Sequence, residues 1–346
     1  MNIAFLVPAP FDAVSGGYGY DRRITAGLRE RGHAVRVVEL AGRHPMPDAA
    51  AEASAREALA ACAAEERIVL DSLGLPAFAP LAEDLAARGA IGLIHHPTCI
   101  ETGHDDTTRA ELRRREEILY PRLSRLVATS PLTAESLPRE FGVEPGRVAV
   151  VEPGTDPAPR AAGSGGETCQ LLAVGVLVPR KGHDVLLRAV ARLMDLDWHL
   201  TIAGPDADPA CAAALRALAK ELELEERVTF AGSVTGAALE ALYARSDVFA
   251  LASHWEGYGM AVAEAMARGL PLAITKGGAL AELMPPGAGV ASPPGDFTSL
   301  SKAMRRVIFD RSLRRKMADA SWAAGQRLPR WEDRADAFAA LLEGAA

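Results

Sequence analysis

The sequence predicts an α/β protein in which two doubly wound parallel sheets follow one another along the chain. Short apolar runs, typical of buried parallel strands, alternate with helical segments from end to end. The alternation starts again after residues 161–167, a stretch rich in glycine that indicates a flexible linker. A chain of 346 residues accommodates two domains of ordinary size. We therefore expect one domain over residues 1–157 and a second over residues 158–329.

The first domain is predicted to open with a strand over residues 2–7, followed by a loop over 8–20 that carries Gly16 and Gly17. Its glycine spacing differs from that of a dinucleotide-binding loop, which argues against an NAD site. Further strands are predicted at 33–40, 67–71, 90–97, 126–130 and 148–156, with helices at 21–31, within 45–66 and at 109–123. The strand at 90–97 brings His95 and His96 to its carboxyl end, the edge where parallel sheets bind ligands.

The second domain repeats the pattern. Strands are predicted at 171–178, 198–203, 227–230 and 247–252, and helices at 183–194, up to 222, up to 244 and at 260–268. The tail is helical from residue 297 onward, and Pro329 interrupts it before a last amphipathic helix that reaches residue 342. Two successive runs of strand and helix on either side of a linker favour two separate doubly wound domains.

Composition excludes several classes of function. The net charge of −7, with no basic stripe interleaved with aromatic residues, argues against a nucleic-acid-binding protein. Four scattered cysteines fit neither a zinc site nor a disulfide framework, so we expect a reducing cytoplasm. No basic leader and no apolar stretch of membrane-spanning length is visible. Weak peripheral membrane contact through the arginines of the 109–123 helix is left open, although interspersed glutamates favour a solvated face.

The most informative stretch is residues 253–271, where a strand hands over to a helix. Gly257 and Gly259 lie in the turn, and the helix begins near Met260. The unpaired backbone N–H groups of such a helix start, together with the helix dipole, form an anion site. Glu256 precedes the helix and Glu264 lies on it, so the two carboxylates are placed to hold opposite ends of an elongated ligand whose phosphates lie between them.

This stretch resembles the glutamate–seven residues–glutamate motif of retaining glycosyltransferases of family 4. Ala252 stands where that family usually has proline, and Tyr258 where it usually has phenylalanine. Residues 175–184 resemble the family's Gly-x-x-x-x-Arg-Lys-Gly signature. The resemblance implies the GT-B fold, in which two Rossmann-like domains face a cleft and the final helix, here residues 330–346, crosses back to the first domain.

The resemblance also implies roles for individual residues. Glu256 would contact the hydroxyls of the donor sugar, and Glu264 the ribose of the nucleotide. Arg180 and Lys181 would neutralise the departing diphosphate, and His95, or its rival His96, would lie beside the reacting sugar. The remaining predicted contacts to the donor come from glycines near the diphosphate, backbone groups around the distal phosphate and residues flanking the base: Gly16, Gly17, Gly257, Tyr258, Gly259, Met260, Ser233 and Val234.

The function implied is a retaining transferase that moves a sugar from a nucleotide-diphosphate donor, UDP- or GDP-linked, to an acceptor hydroxyl. Neither a metal nor a cofactor apart from the donor is expected, and the acceptor is unidentified. The alternatives are a nucleotide-sugar epimerase or phosphorylase of the same fold, a non-catalytic nucleotide-sugar-binding protein and a peripheral membrane scaffold. Acceptor dependence, phosphate dependence, turnover and lipid binding distinguish them.

Overall fold

The computed structural model describes residues 1–344, which form two compact units. The first unit comprises Met1–Gly154 together with the described residues from Arg330 onward, and the second comprises Thr155–Pro329. Within the described residues each unit contains one six-stranded parallel sheet with helices packed against it. The predicted α/β architecture of two parallel sheets is confirmed.

The sheet of the first unit has the order β2-β1-β3-β4-β5-β6, all strands being parallel. Its central strands are fully buried because helices cover both faces. The strands are β1 Asn2–Pro8, β2 Ala34–Leu40, β3 Arg67–Asp71, β4 Ile91–Ile94, β5 Arg125–Ala128 and β6 Val148–Val150. The helices are α1 Gly16–Glu30, α2 Ala49–Ala60, α3 Ala82–Ala87, α4 Asp106–Leu119, α5 Pro131–Phe141 and the C-terminal helix, Trp331–Glu343.

The C-terminal helix packs against α1 inside the first unit. Trp331 at its start lies edge-on to Tyr20, with ring centroids 5.7 Å apart. A Cβ atom placed on Gly27 of α1 would come within 2.5 Å of the Cβ of Ala335, so the absence of a side chain permits this close approach. The predicted return of the last helix to the first domain agrees with this packing.

The sheet of the second unit has the order β12-β11-β10-β7-β8-β9, again parallel throughout. The strands are β7 Cys169–Val174, β8 Trp198–Ala203, β9 Val228–Gly232, β10 Val248–Leu251, β11 Leu272–Thr275 and β12 Gly289–Ser292. The helices are α6 His183–Val190, α7 Pro209–Glu221, α8 Gly236–Arg245, α9 Met260–Ala267, α10 Leu280–Leu283, α11 Phe297–Phe309 and α12 Arg311–Gly325; the C-terminal helix of the first unit is therefore α13.

Two local predictions were wrong. Gly16 and Gly17 do not lie in a loop, because Ser15 caps α1 by accepting the Tyr18 N–H and the helix begins at Gly16. The segment 161–167 was expected to be a flexible linker, but it is anchored within the second unit, because the Ala161 N–H donates to the Arg268 carbonyl and the Ala162 N–H to the Ala244 carbonyl. The two compact units divide between residues 154 and 155, three residues before the predicted boundary.

Among residues 1–344, no helix combines the length and the apolar composition that crossing a bilayer requires.

Candidate functional site

A buried carboxylate held by two cations lies at the carboxyl edge of the second sheet. Lys181 Nζ donates to Glu256 Oε1 over 2.7 Å, and Arg180 Nη1 lies 3.3 Å from Oε2. Ser253 Oγ donates to Oε1 over 2.6 Å. These groups meet because β7 and β10 are neighbouring strands, so the segments that follow their carboxyl ends share one edge of the sheet.

The backbone fixes this arrangement. Arg180 and Lys181 lie on the short 3-10 turn Pro179–Lys181, and the carbonyl of Arg180 accepts the His254 N–H over 2.9 Å. Gly182 follows with a φ of 59°, and a Cβ atom there would lie 2.1 Å from the carbonyl oxygen of Ala252. Glycine is therefore required where the two segments touch.

Glu256 is ionised because two cations lie beside it. Burial by itself would raise the pKa of Glu256, but Lys181 and Arg180 outweigh burial and lower this pKa to about 2. Glu256 is therefore ionised at neutral pH, although it is only 6% exposed. Cationic side chains such as Lys181 and Arg180 are the groups that bind phosphate and carboxylate ligands in proteins.

Helix α9 begins next to this cluster without a capping side chain from the described residues. Gly259 stands at its N-cap position with a φ of 105°, and a Cβ atom there would meet Leu280 Cδ2 at 2.4 Å. Only glycine fits this backbone comfortably. Gly257 is half-buried, Tyr258 is buried and Met260 opens the helix. The start of α9 thus lies where the sequence predicted an anion site, and anion binding there stays a prediction.

Glu264 lies on α9, one turn beyond the helix start. Its Oε2 accepts the hydroxyl hydrogen of Tyr243 over 2.8 Å. Burial raises the pKa of Glu264 above its ordinary value, while the hydrogen bond from Tyr243 acts in the opposite direction. The two glutamates of the motif therefore differ, since Glu256 is neutralised by cations and Glu264 is held by a neutral hydroxyl.

The two residues predicted beside the base follow β9 in the same unit. Ser233 is exposed and Val234 half-buried. Val234 packs against the hydrophobic cluster that includes Tyr243 and Leu242. No contact between these residues and a base is established, so their role stays a prediction.

His95 lies in the first unit, directly after β4, between two buried aspartates. Its Nε2 is 3.0 Å from Asp21 Oδ1 and 3.2 Å from Asp71 Oδ2. A lone pair facing two carboxylates would be repelled, so Nε2 carries the proton. Burial lowers the pKa of His95, but the two carboxylates outweigh it and the pKa is raised. His95 is therefore an imidazolium at neutral pH, unsuited to accept a proton.

The three ligand atoms of Asp21, Asp71 and His95 lie within 4.8 Å of one another, close enough to share one cation. Desolvation and the neighbouring charge of Asp71 raise the pKa of Asp21, whose Oδ2 is buried with no hydrogen-bond partner in the described chain. The expectation that the protein uses no metal stays a prediction.

The other predicted residues of the first unit lie close to His95 or beside it in the chain. A Cβ atom on Gly17 would lie 3.4 Å from His95 Cδ2, so the first turn of α1 runs alongside the imidazole. His96 points to a different partner, with Nε2 2.9 Å from Glu101 Oε2. The structure thus gives the two histidines different settings, and the choice of His95 as the active-site residue stays a prediction.

Sequence reasoning missed several supporting residues. Asp71 ends β3, and β3 pairs with β4, so the rule that carboxyl ends of parallel strands share an edge would have placed it beside His95. Asp21 sits on the helix that follows β1, the other neighbour of β3 in the sheet. Tyr243 and Ser253 carried no signal of their own, because a tyrosine in an alanine-rich helix and a serine after a strand are ordinary.

A family model accounts for the second unit. Residues 157–322 match the model described as Glycosyl transferases group 1. This match agrees with the predicted glycosyltransferase and covers both the Arg180–Lys181 turn and the two glutamates.

Known proteins are similar over larger parts of the chain. Mannosylfructose-phosphate synthase from Agrobacterium fabrum is 28% identical over 248 residues, 66% of this chain and 55% of that protein. The chain spans about half the length of the curated relatives it matches.

Two solved structures share the fold. Sucrose-phosphate synthase from Thermosynechococcus elongatus has a TM-score of 0.83 at 21% identity, covering 99% of this chain and 98% of that one. HepE from Anabaena, in complex with UDP and glucose, has a TM-score of 0.79 at 19% identity, covering 99% and 100%. The predicted GT-B fold is confirmed.

Proposed function

We propose that this protein is a glycosyltransferase that moves a sugar from a nucleotide-diphosphate donor, UDP- or GDP-linked, to an acceptor hydroxyl, with retention of anomeric configuration and without a metal. The observation that carries the proposal is the cluster of Lys181, Arg180 and Glu256 beside the uncapped start of α9. Two cations beside a helix start without a side-chain cap are groups that stabilise the charge of a diphosphate, the leaving group of such a reaction.

The chemistry follows from the residues of the second unit. Cleavage of the glycosidic bond passes through an oxocarbenium-like sugar and leaves negative charge on the diphosphate. Lys181, Arg180 and the N–H groups around Tyr258, Gly259 and Met260 stabilise that charge without rearranging, because Glu256 already holds both cations in place. The acceptor hydroxyl then attacks from the face of the leaving group and gives its proton to an oxygen of the departing diphosphate, so the new glycosidic bond forms with retention.

Glu256 has a second use in this scheme. A buried carboxylate is a strong acceptor for the hydroxyls of a donor sugar lying next to the diphosphate. Glu264 lies farther along α9, and we assign it to the ribose at the other end of the ligand on the strength of the family resemblance. The roles of Gly16 and Gly17 rest on the family resemblance alone, whereas those proposed for His95 and His96 rest also on their position directly after β4. In support of a nucleotide donor, HepE, which shares the fold, has been crystallised with UDP and glucose.

The first experiment is a thermal-shift panel with UDP, GDP, ADP and CDP and their common sugar conjugates. We expect one nucleotide to raise the melting temperature of the wild-type protein and to lose this effect in Glu264→Ala. No shift with any nucleotide diphosphate would contradict the proposal. Once the donor is known, the anomeric configuration of the product, read by NMR, tests retention.

The alternatives give different results in the same assays. An epimerase would release an altered sugar without needing an acceptor, and a phosphorylase would require inorganic phosphate. A binding protein would show the thermal shift but no turnover, and a membrane scaffold would float with liposomes in the absence of any nucleotide.

Removing Lys181 tests the diphosphate site directly. We expect Lys181→Ala to lower kcat by about two orders of magnitude, because a positioned charge on the developing anion is lost. Lys302→Ala, which removes an exposed lysine from α11 of the same unit, is the matched control and should leave kcat unchanged. Near-normal turnover of Lys181→Ala would contradict the assignment.

A further inference from the structure

Only one of the two carboxylate oxygens of Glu264 accepts a hydrogen bond within residues 1–344. Oε2 accepts the Tyr243 hydroxyl hydrogen over 2.8 Å. Within residues 1–344, Oε1 has no hydrogen-bond partner, and the side chain is half-buried. A partly desolvated carboxylate with one unfilled acceptor gains from any hydroxyl that reaches it.

Tyr243 is itself fixed in place. It is fully buried on α8 and stacks against Phe249 of β10, with ring centroids 6.3 Å apart and an interplanar angle of 18°. The guanidinium of Arg268 lies 4.4 Å from the centroid of the tyrosine ring. Burial raises the pKa of Tyr243 well above its ordinary value, so its hydroxyl stays protonated and remains a donor.

Arg268 ties the same network to the backbone of α9. Its Nη1 donates to the carbonyl of Glu264 over 2.8 Å, and Nε donates to Glu240 Oε2 over 3.1 Å. The glutamate, the tyrosine and the arginine are therefore a connected set in which the direction of Oε1 is determined by the protein.

We propose that Tyr243 is a positioning residue that presents Oε1 of Glu264 to a ribose hydroxyl, so that the second unit selects ribonucleoside diphosphates over their deoxy counterparts. The inference rests on the proposed function. A site whose charged acceptor is arranged for one hydroxyl discriminates strongly against a ligand that lacks it, because the acceptor is then desolvated and left unpaired.

The hydroxyl of Tyr243 can be removed without removing its ring. Tyr243→Phe keeps the packing against Phe249 and Arg268 and deletes only the donor to Glu264. The chain offers a matched control in the first unit, where the buried Tyr120 donates to Glu116 Oε1 over 2.9 Å. Tyr120→Phe breaks an equivalent tyrosine–glutamate bond far along the sequence from the motif.

The experiment measures dissociation constants by calorimetry for UDP, GDP, ADP and CDP and for the 2′-deoxy and 3′-deoxy forms of each. For the nucleotide that binds, we expect wild-type protein to prefer the ribose form by about 10- to 100-fold over at least one deoxy form. In Tyr243→Phe this preference should fall to about threefold or less, mainly through weaker binding of the ribose form. Tyr120→Phe should keep the wild-type ratio.

The outcomes separate the two proposals. A Tyr243→Phe protein that keeps the wild-type ratio, or that loses affinity for ribose and deoxy forms equally, overturns the positioning role while leaving the nucleotide site intact. Wild-type binding without any ribose preference does the same. If wild-type protein binds no nucleoside diphosphate, both proposals fall.

Discussion

The two units bury charge in opposite proportions. In the first unit one imidazole lies between two carboxylates, His95 with Asp21 and Asp71, so negative groups outnumber positive ones. In the second unit one carboxylate, Glu256, lies between two cations. In each cluster the direction of the pKa shift is set by the charges that surround the central group. The two carboxylates raise the pKa of the His95 imidazole, and the two cations lower the pKa of the Glu256 carboxyl group.

The surplus also indicates which kind of ligand each cluster can receive. The two cations around Glu256 adjoin the start of α9, where we propose that the diphosphate binds. The negative surplus around His95 is unsuited to an anion, and the imidazolium is a donor for hydroxyl groups.

Of the substitutions considered, replacing His95, the cation between Asp21 and Asp71, should have the largest effect on stability. His95→Ala leaves two buried carboxylates without a cation, and we expect a loss of about 3–5 kcal/mol in the free energy of unfolding. Urea denaturation at neutral pH measures it. The control His199→Ala removes a histidine whose Nε2 meets only the neutral Thr229 hydroxyl, and should cost far less.

A double variant sharpens this result. Adding Asp71→Asn to His95→Ala removes one of the two buried carboxylates that have lost their cation. The double variant should therefore be more stable than His95→Ala alone. Equal or lower stability of the double variant would show that charge balance does not explain the cluster.

The contribution of Glu256 and its two cations to the free energy of unfolding should depend on pH. The folded pKa of Glu256 lies below its ordinary value of 4.5, at about 2. Its contribution to stability is therefore fully present above about pH 4.5 and is lost as the pH falls through about 2. The shift corresponds to roughly 3 kcal/mol at neutral pH.

The measurement is the difference in unfolding free energy between wild type and Glu256→Gln from pH 7 down to pH 2. This difference should shrink across the acid range. Glu117→Gln, in an exposed ion pair with Arg113, is the control and should change stability by less than about 1 kcal/mol throughout. A difference independent of pH would contradict the role of the two cations.

The smallest changes in stability are expected for alanine substitutions at Gly259 and Gly17, the glycines beside the two clusters. Gly259→Ala should destabilise the protein by about 1–3 kcal/mol, because φ is 105° and the added methyl group meets Leu280. Gly17→Ala places a methyl group in ordinary contact with His95 inside a helix, and should be neutral or stabilise by up to about 1 kcal/mol. Thermal unfolding of both variants distinguishes them, and equal destabilisation would contradict the contrast.

The sequence allowed the fold and the second cluster to be predicted because both depend on local patterns. Strands β3 and β8 and the start of α9 lie where apolar runs and glycines indicated. Glu256, Arg180 and Lys181 were placed together through a recognisable motif, and the structure brings them into contact.

The first cluster could not be predicted as a whole, because its members come from three separate segments and no short motif links them. Asp21 lies 74 positions from His95 in the chain. The prediction of a loop over residues 8–20 was wrong for a different physical reason. The glycines suggested a turn, but the Ser15 cap and the packing of Tyr20 favour a helix.

The packing of α13 on α1 has a consequence for synthesis of the protein. The first unit is discontinuous in sequence, with the whole of the second unit inserted between residues 154 and 330. During synthesis, α1 leaves the ribosome long before α13 is made, so Tyr20 is not covered by Trp331 until the residues after 330 have been synthesised. The inserted unit can therefore finish folding while the unit that begins the chain is still incomplete.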